Sequence, residues 1–230
     1  MATRRAPAAP APTLAQALAL LQAEARPEQL AGMARFGMAP ARRLGVAVPV
    51  LRRLGKTLGR DHALAQALWD TAIPDAQILA AYVAEPARFT ADQMDAWIRS
   101  LGAWDSCDQV CGNAFVRSPL AWGRAAAWAT REPEFERRAA FALMAALAVH
   151  DKAAGDAAFL ALLPLIEAAA DDERNFVKKA VNWSLRQIGK RNQLLCEAAM
   201  ASAVRLRERP SRAARWIGAD ALRELQTRAR

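Results

Sequence analysis

Asp108 is a carboxylate one turn inside GAWDSCDQVC, residues 102–111, a stretch otherwise rich in apolar residues. An acid in such a setting is either paired with a cation or kept for chemistry, because an isolated buried charge is costly. A salt bridge to a nearby Arg is the plainer of these readings. Trp104 stands four residues earlier, so on a helix its indole and the carboxylate share a face. Asp105, nearer the helix start, reads as a cap or a structural acid. In FERRAAFAL, residues 135–143, Arg137 and Arg138 cannot both point inward. One can reach an acid or a phosphate while the other is solvated. A third stretch, DDERNFVKKAVNWSLRQIGKRN at residues 171–192, reads as one helix with an acidic start, Asp171 or Asp172 serving as its cap. Val177, Val181, Ser184 and Ile188 would face a core. A second line holds Lys179, Asn182, Arg186 and Lys190, beside Lys178 and Trp183. Lys and Arg bind phosphates, and a flat aromatic face can lie against a sugar or base. The alternative is a core Trp beside a solubilising stripe.

Charge placement adds to this. The formal net charge is +9, yet residues 1–172 hold 18 basic and 18 acidic side chains, and residues 173–230 hold 14 basic against 5 acidic. The whole excess lies in the last quarter. A second run, from Arg35 to Arg60, has seven basic residues and no acid. Two basic regions with a neutral middle suggest a polyanion gripped at two places. Other chemistries find little support. His62 and His150 have no Ser or Cys near them in sequence that would suggest a nucleophile. Cys107 and Cys111 share a helix face but lack two further ligands of zinc spacing, so they read as small core residues. Phosphate-binding Gly loops and dinucleotide fingerprints are absent, and neither a metal nor any other cofactor is expected.

The elements that must carry these side chains are helices. Alanine, leucine and arginine dominate and β-branched residues are sparse. Residues 1–12 (MATRRAPAAPAP) read as a disordered Ala/Pro-rich tail without a secretory h-region. Residues 13–230 read as a single domain, with helices expected at 13–25, 29–36, 49–58, 62–71, 75–83, 90–101, 104–116, 119–130, 133–149, 156–169, 172–190, 193–207 and 211–225, punctuated by Pro, Gly, Asp and Ser. Helices this short with short joins fit an all-α bundle or a curved stack of antiparallel pairs of the HEAT or armadillo kind. Pairing successive helices gives about six degenerate units of roughly 35–45 residues. No stretch has the ~20 apolar residues of a membrane span. Three cysteines, an odd and sparse count, point to a reducing compartment, hence a cytoplasmic or nucleoid setting.

WDSCD at residues 104–108, RRAAFAL at 137–143 and FVKKAVNWSLRQIGKRN at 176–192 together resemble the DNA alkylation-repair family typified by AlkD, with LGVAVPVLRRL at 44–54 a weaker match. The blocks span most of the chain after the tail and keep the family order. The resemblance implies a C-shaped superhelix of HEAT-like repeats with a basic inner face. It implies a monofunctional glycosylase, expected to be a monomer, that removes cationic N3- or N7-alkylated purines from double-stranded DNA without flipping the base. Trp104 then matches the first active-site Trp, Asp108 the catalytic Asp, Arg138 a phosphate-contacting Arg and Trp183 the second active-site Trp. Lys179, Arg186 and Lys190 are the further expected phosphate contacts. Ala103 stands where characterised members carry another Trp, and Tyr82 is the only tyrosine. Some family branches bind DNA without detectable excision, so a non-catalytic binder of distorted or branched DNA is the alternative, and a protein-interaction scaffold a third.

Overall fold

In the computed structural model, which describes residues 12–38 and 41–227, the regular structure among those residues is entirely helical. Residues 1–11 of the expected tail lie outside the described residues. Fourteen α-helices are seen among the described residues: α1 (Leu14–Ala23), α2 (Leu30–Arg35), α3 (Val48–Leu58), α4 (His62–Asp70), α5 (Pro74–Val83), α6 (Ala91–Arg99), α7 (Trp104–Asn113), α8 (Ala121–Trp128), α9 (Glu134–His150), α10 (Asp156–Leu160), α11 (Leu163–Ala168), α12 (Asn175–Gly189), α13 (Gln193–Arg207) and α14 (Arg212–Gln226).

Local chemistry sets most boundaries. Thr13 caps α1 in a reciprocal box, its backbone N–H donating to Gln16 Oε1 at 2.8 Å. Asp61, Thr90, Asn192 and Ser211 each accept from the third residue on and open α4, α6, α13 and α14. Two differences from the expected ranges have a clear local cause. The segment 156–169 is two helices, because Pro164 has no N–H for the carbonyl four residues back and suits the first turn of a new helix. The third stretch starts at Asn175, without an acidic cap. Asp172 instead accepts the Arg174 backbone N–H at 3.1 Å and its Nε at 2.9 Å, and this turn precedes α12.

Packing sorts the helices into two rows. α3, α5, α7, α9, α12 and α14 touch one another in succession. Against them lie the interposed helices, with α4 on α5, α8 on α9 and α13 on α14. This is the two-layer stacking of a helical solenoid. α9 is enclosed by α7, α8 and α12, so Arg138 to Ala148 are buried in an unbroken run and the helix is apolar nearly all round. Four of the seven tryptophans serve packing. The indole N–H groups of Trp69, Trp97, Trp122 and Trp128 donate to Ser100, Gln66, Asp151 and Asp95, and Trp69 stacks on Trp97 at 4.0 Å. No helix among the described residues is long and apolar enough to cross a membrane.

Candidate functional site

The start of α7 carries Ala103, Trp104 and Asp105. Ala103 is buried at the N-cap position and offers no side-chain cap. Trp104 is half-buried, and its Nε1 donates to the Phe36 carbonyl at 2.8 Å, which ties the end of α2 to the start of α7. Asp105 takes a buried bidentate pair from Arg43, with Nη1 to Oδ2 at 2.6 Å and Nη2 to Oδ1 at 3.0 Å. It is a structural acid and not a cap.

Asp108, one turn on, is paired as well. Arg138 on α9 donates Nε to Oδ1 at 3.0 Å and Nη2 to Oδ2 at 2.8 Å, while its Nη1 donates to the Phe176 carbonyl at 2.6 Å. Of the adjacent arginines Arg138 is therefore the inward one, and Arg137 pairs with Asp172 at 3.4 Å. Burial pushes the Asp108 carboxyl above its ordinary pKa, and the Arg138 charge and hydrogen bonds oppose this without cancelling it. Burial works against the Arg138 charge too, but Asp108 outweighs it and the guanidinium is held above its usual value. Three of five guanidinium N–H groups are used, leaving one on each terminal nitrogen.

Two cavities meet at Trp104. One, of about 510 Å³, is lined by Arg35, Phe36, Arg138, Phe176 and Lys179 as well as the indole. The other, of about 470 Å³, is lined by Trp104, Asp105, Asp108 and Trp183 together with Arg43, Arg52 and His150. Gly37 shapes the first: its φ of +76° is left-handed, and a Cβ there would come within 2.6 Å of the Phe176 ring. Trp104, Asp108, Arg138 and Trp183 thus converge from α7, α9 and α12, with Arg138 joining the basic cavity to the acid.

The expected phosphate contacts divide. Lys179 is exposed and lines the basic cavity. Arg138 is engaged by Asp108, with a side chain only 7% exposed, so its availability to a phosphate is limited to its two remaining N–H groups. Arg186 and Lys190 do not stand open as expected: both are paired with Glu224 on α14, and Arg186 also lies 3.8 Å from Asp220. Asn182, read on the same stripe, is buried and donates to Asp220 at 2.7 Å. The physical reason is α14, which packs against that face of α12 and brings acids to it.

Sequence reasoning missed Arg43, whose acid lies 62 residues away, and Asp75, which accepts the Leu44 and Val46 backbone N–H groups at 2.8 Å each and fixes the loop carrying Arg43. It also missed Phe36, 71% exposed at the cavity mouth. The only signal was the acid-free run that contains Arg35 and Arg43.

A two-row stack of antiparallel helices is a HEAT-like repeat architecture. One solved structure aligns with a TM-score of 0.77 at 19% identity, covering 95% of this chain and 96% of the other. That protein is from a family related to the HEAT-like repeat DNA glycosylases with affinity for branched DNA structures. An engineered protein and a designed armadillo repeat protein align with TM-scores of 0.45 and 0.36, at 12% and 16% identity; they cover 94% and 92% of this chain and 99% and 92% of theirs. No curated protein matches the chain. Residues 17–225 match the profile of the DNA alkylation repair enzymes. The chain belongs to that family.

Proposed function

We propose that this protein is a DNA glycosylase that hydrolyses the N-glycosidic bond of cationic N3- or N7-alkylated purines in duplex DNA, without a metal and without flipping the base. The observation that carries this is the convergence of Trp104, Asp108 and Trp183 on one open cavity, beside a basic cavity that shares Trp104. An alkylated purine is already positively charged and leaves readily. Breaking its bond to the sugar leaves an oxocarbenium-like deoxyribose, and a carboxylate near that sugar stabilises the charge and orients the attacking water. The indole faces pack on the sugar and gain cation–π attraction as its charge grows. Lys179 and Arg35 hold the neighbouring phosphate, and the two free N–H groups of Arg138 reach toward it. A phosphate that draws on Arg138 loosens its hold on Asp108 and leaves more of the carboxylate charge for the sugar.

The test is release of 7-methylguanine and 3-methyladenine from methylated duplex DNA by purified protein. Free base released in time with enzyme turnover supports the reading. A second reading, binding of branched DNA without excision, is favoured by the bidentate Arg138 pair, which occupies both Asp108 oxygens. Tight binding of a four-way junction with no base release would establish it.

A further inference from the structure

Beside the Asp108 cavity, and sharing Arg52 and Asn113 with it, lies a pocket of about 390 Å³. It forms where the C-terminal ends of α3, α5 and α7 meet. α3 brings Arg52 and Lys56, the segment after it Arg60, α5 Tyr82, and the 3-10 turn Phe115–Arg117 brings Arg117. Gly55 is what allows α3 so near α5, since a Cβ there would overlap Tyr82. The Tyr82 hydroxyl donates to Gln109 Oε1 at 2.8 Å, and Arg52 lies over its ring at 5.9 Å.

Arg52, Lys56, Arg60 and Arg117 are all exposed, and none has an ion pair with a carboxylate among the described residues. Helix ends account for part of this. Arg60 donates to the Ala84 carbonyl after α5, and Arg117 to the Asn113 carbonyl of α7 at 3.4 Å. Each helix C-terminus carries roughly −0.5 of a charge, so three of them offset less than half of four cations. Glu85 influences Arg60, but it is held by Arg88 at 3.1 Å and by the His62 backbone N–H at 3.1 Å. The Arg60 pKa is lowered, first by partial burial and then by the like charge of Arg117. An anion in the pocket relieves that repulsion.

We propose that this pocket binds a DNA backbone phosphate flanking the sugar that Asp108 faces, a second grip on the strand. Asn113 lies five residues along α7 from Asp108, about 7–8 Å at ~1.5 Å per residue. That span is about two nucleotides at ~3.4 Å of rise along one strand. The inference rests on the DNA reading above but not on excision.

The test is the salt dependence of binding to an undamaged duplex, for wild type and for Lys56→Gln combined with Arg117→Gln. A control places the same charge change on α6 and α13, Arg99→Gln with Arg207→Gln, both exposed. The pocket variant should flatten the log–log slope by about 0.9 for each phosphate no longer held, and the control should not. An unchanged slope, or equal flattening in the control, overturns the pocket while leaving the DNA reading intact. Wild type that fails to bind the duplex overturns both. Inorganic phosphate, added at constant ionic strength, should displace the duplex no better than chloride. Stronger displacement that disappears in the pocket variant would make this a free-phosphate site and overturn the strand assignment.

Discussion

α7 carries two carboxylates three residues apart, each gripped by an arginine through two hydrogen bonds; both border the cavity that Trp104 and Trp183 line, and Asp108 is the more exposed of the two. The Arg43–Asp105 pair, with side chains 2% and 11% exposed, joins α7 to a loop that Asp75 fixes from the other side. The Arg138–Asp108 pair, 7% and 17% exposed, joins α7 to α9 and lies beside the basic cavity. Near-identical bonding therefore serves two ends. The first pair locks a loop whose residues Arg43, Val46 and Ala47 line the cavity. The second sets a guanidinium against the burial that raises the Asp108 pKa, at a position a ligand can reach.

Removing one partner separates these roles. Asp105→Asn leaves Arg43 charged with a side chain only 2% exposed, and the loss of a buried partner typically costs about 3–5 kcal/mol. Asp108→Asn leaves Arg138 with a side chain 7% exposed and its bond to the Phe176 carbonyl intact, so a smaller cost of about 1.5–3 kcal/mol is expected, that of a hydrogen bond to a charged group. Urea denaturation of the two variants measures this, and equal losses would make both pairs structural. Excision should order them the other way. Asp108→Asn should lower 7-methylguanine release by about two to three orders of magnitude, the usual range for a preorganised electrostatic group, with duplex binding unchanged or slightly tighter. Asp105→Asn, assayed where it is still folded, should stay within about tenfold of wild type, since its effect runs through the loop.

The pH profile sharpens the same contrast. The Asp108 pKa is raised, so excision should fall as pH drops through a value above the ordinary 3.8. The folded chain holds this proton more tightly than the unfolded chain. Asp108 itself therefore favours folding at low pH, and that contribution is lost as pH rises through the folded value. An acid limb at or below the ordinary carboxylate value would dissociate Asp108 from the reaction. Trp104→Ala and Trp183→Ala should each lower excision more than binding to undamaged duplex; each loss of aromatic stacking is worth about 1–3 kcal/mol. Equal losses in both assays would make the indoles a binding surface only.

Much of this was legible in the sequence where the controlling interactions are local. The expected range 193–207 is α13, and Val177, Val181, Ser184 and Ile188 are buried as their spacing requires. Trp104 and Asp108 share a cavity because four residues are about one helical turn. What sequence could not supply is the meeting of distant segments. Arg43 and Asp105 are 62 residues apart, and no helical period links them. Charge counts record no pairing, for the same reason. The last quarter holds the whole basic excess, yet Arg174, Arg186, Lys190, Arg205, Arg209 and Arg223 all have carboxylate partners. A cluster of cations without such partners lies around Tyr82, where Arg52, Lys56 and Arg60 come from the acid-free run at residues 35–60.

That difference gives the smallest effect. If an internal partner removes a side chain from service, as Arg43 does for Asp105, then Arg186 and Lys190 contribute little to DNA binding despite their place on α12. Breaking their bonds to Glu224 would cost about what a phosphate bond returns. Lys179, exposed and lining the basic cavity, has no such cost. Lys179→Gln should flatten the salt slope of duplex binding by about 0.9, the share of one phosphate. Arg186→Gln combined with Lys190→Gln should change it by less, although two charges are removed. The opposite order would mean that DNA displaces Glu224 and takes over both side chains. Pairing inside the chain would then be a resting arrangement, and the bond between Arg138 and Asp108 would have to be read in the same way.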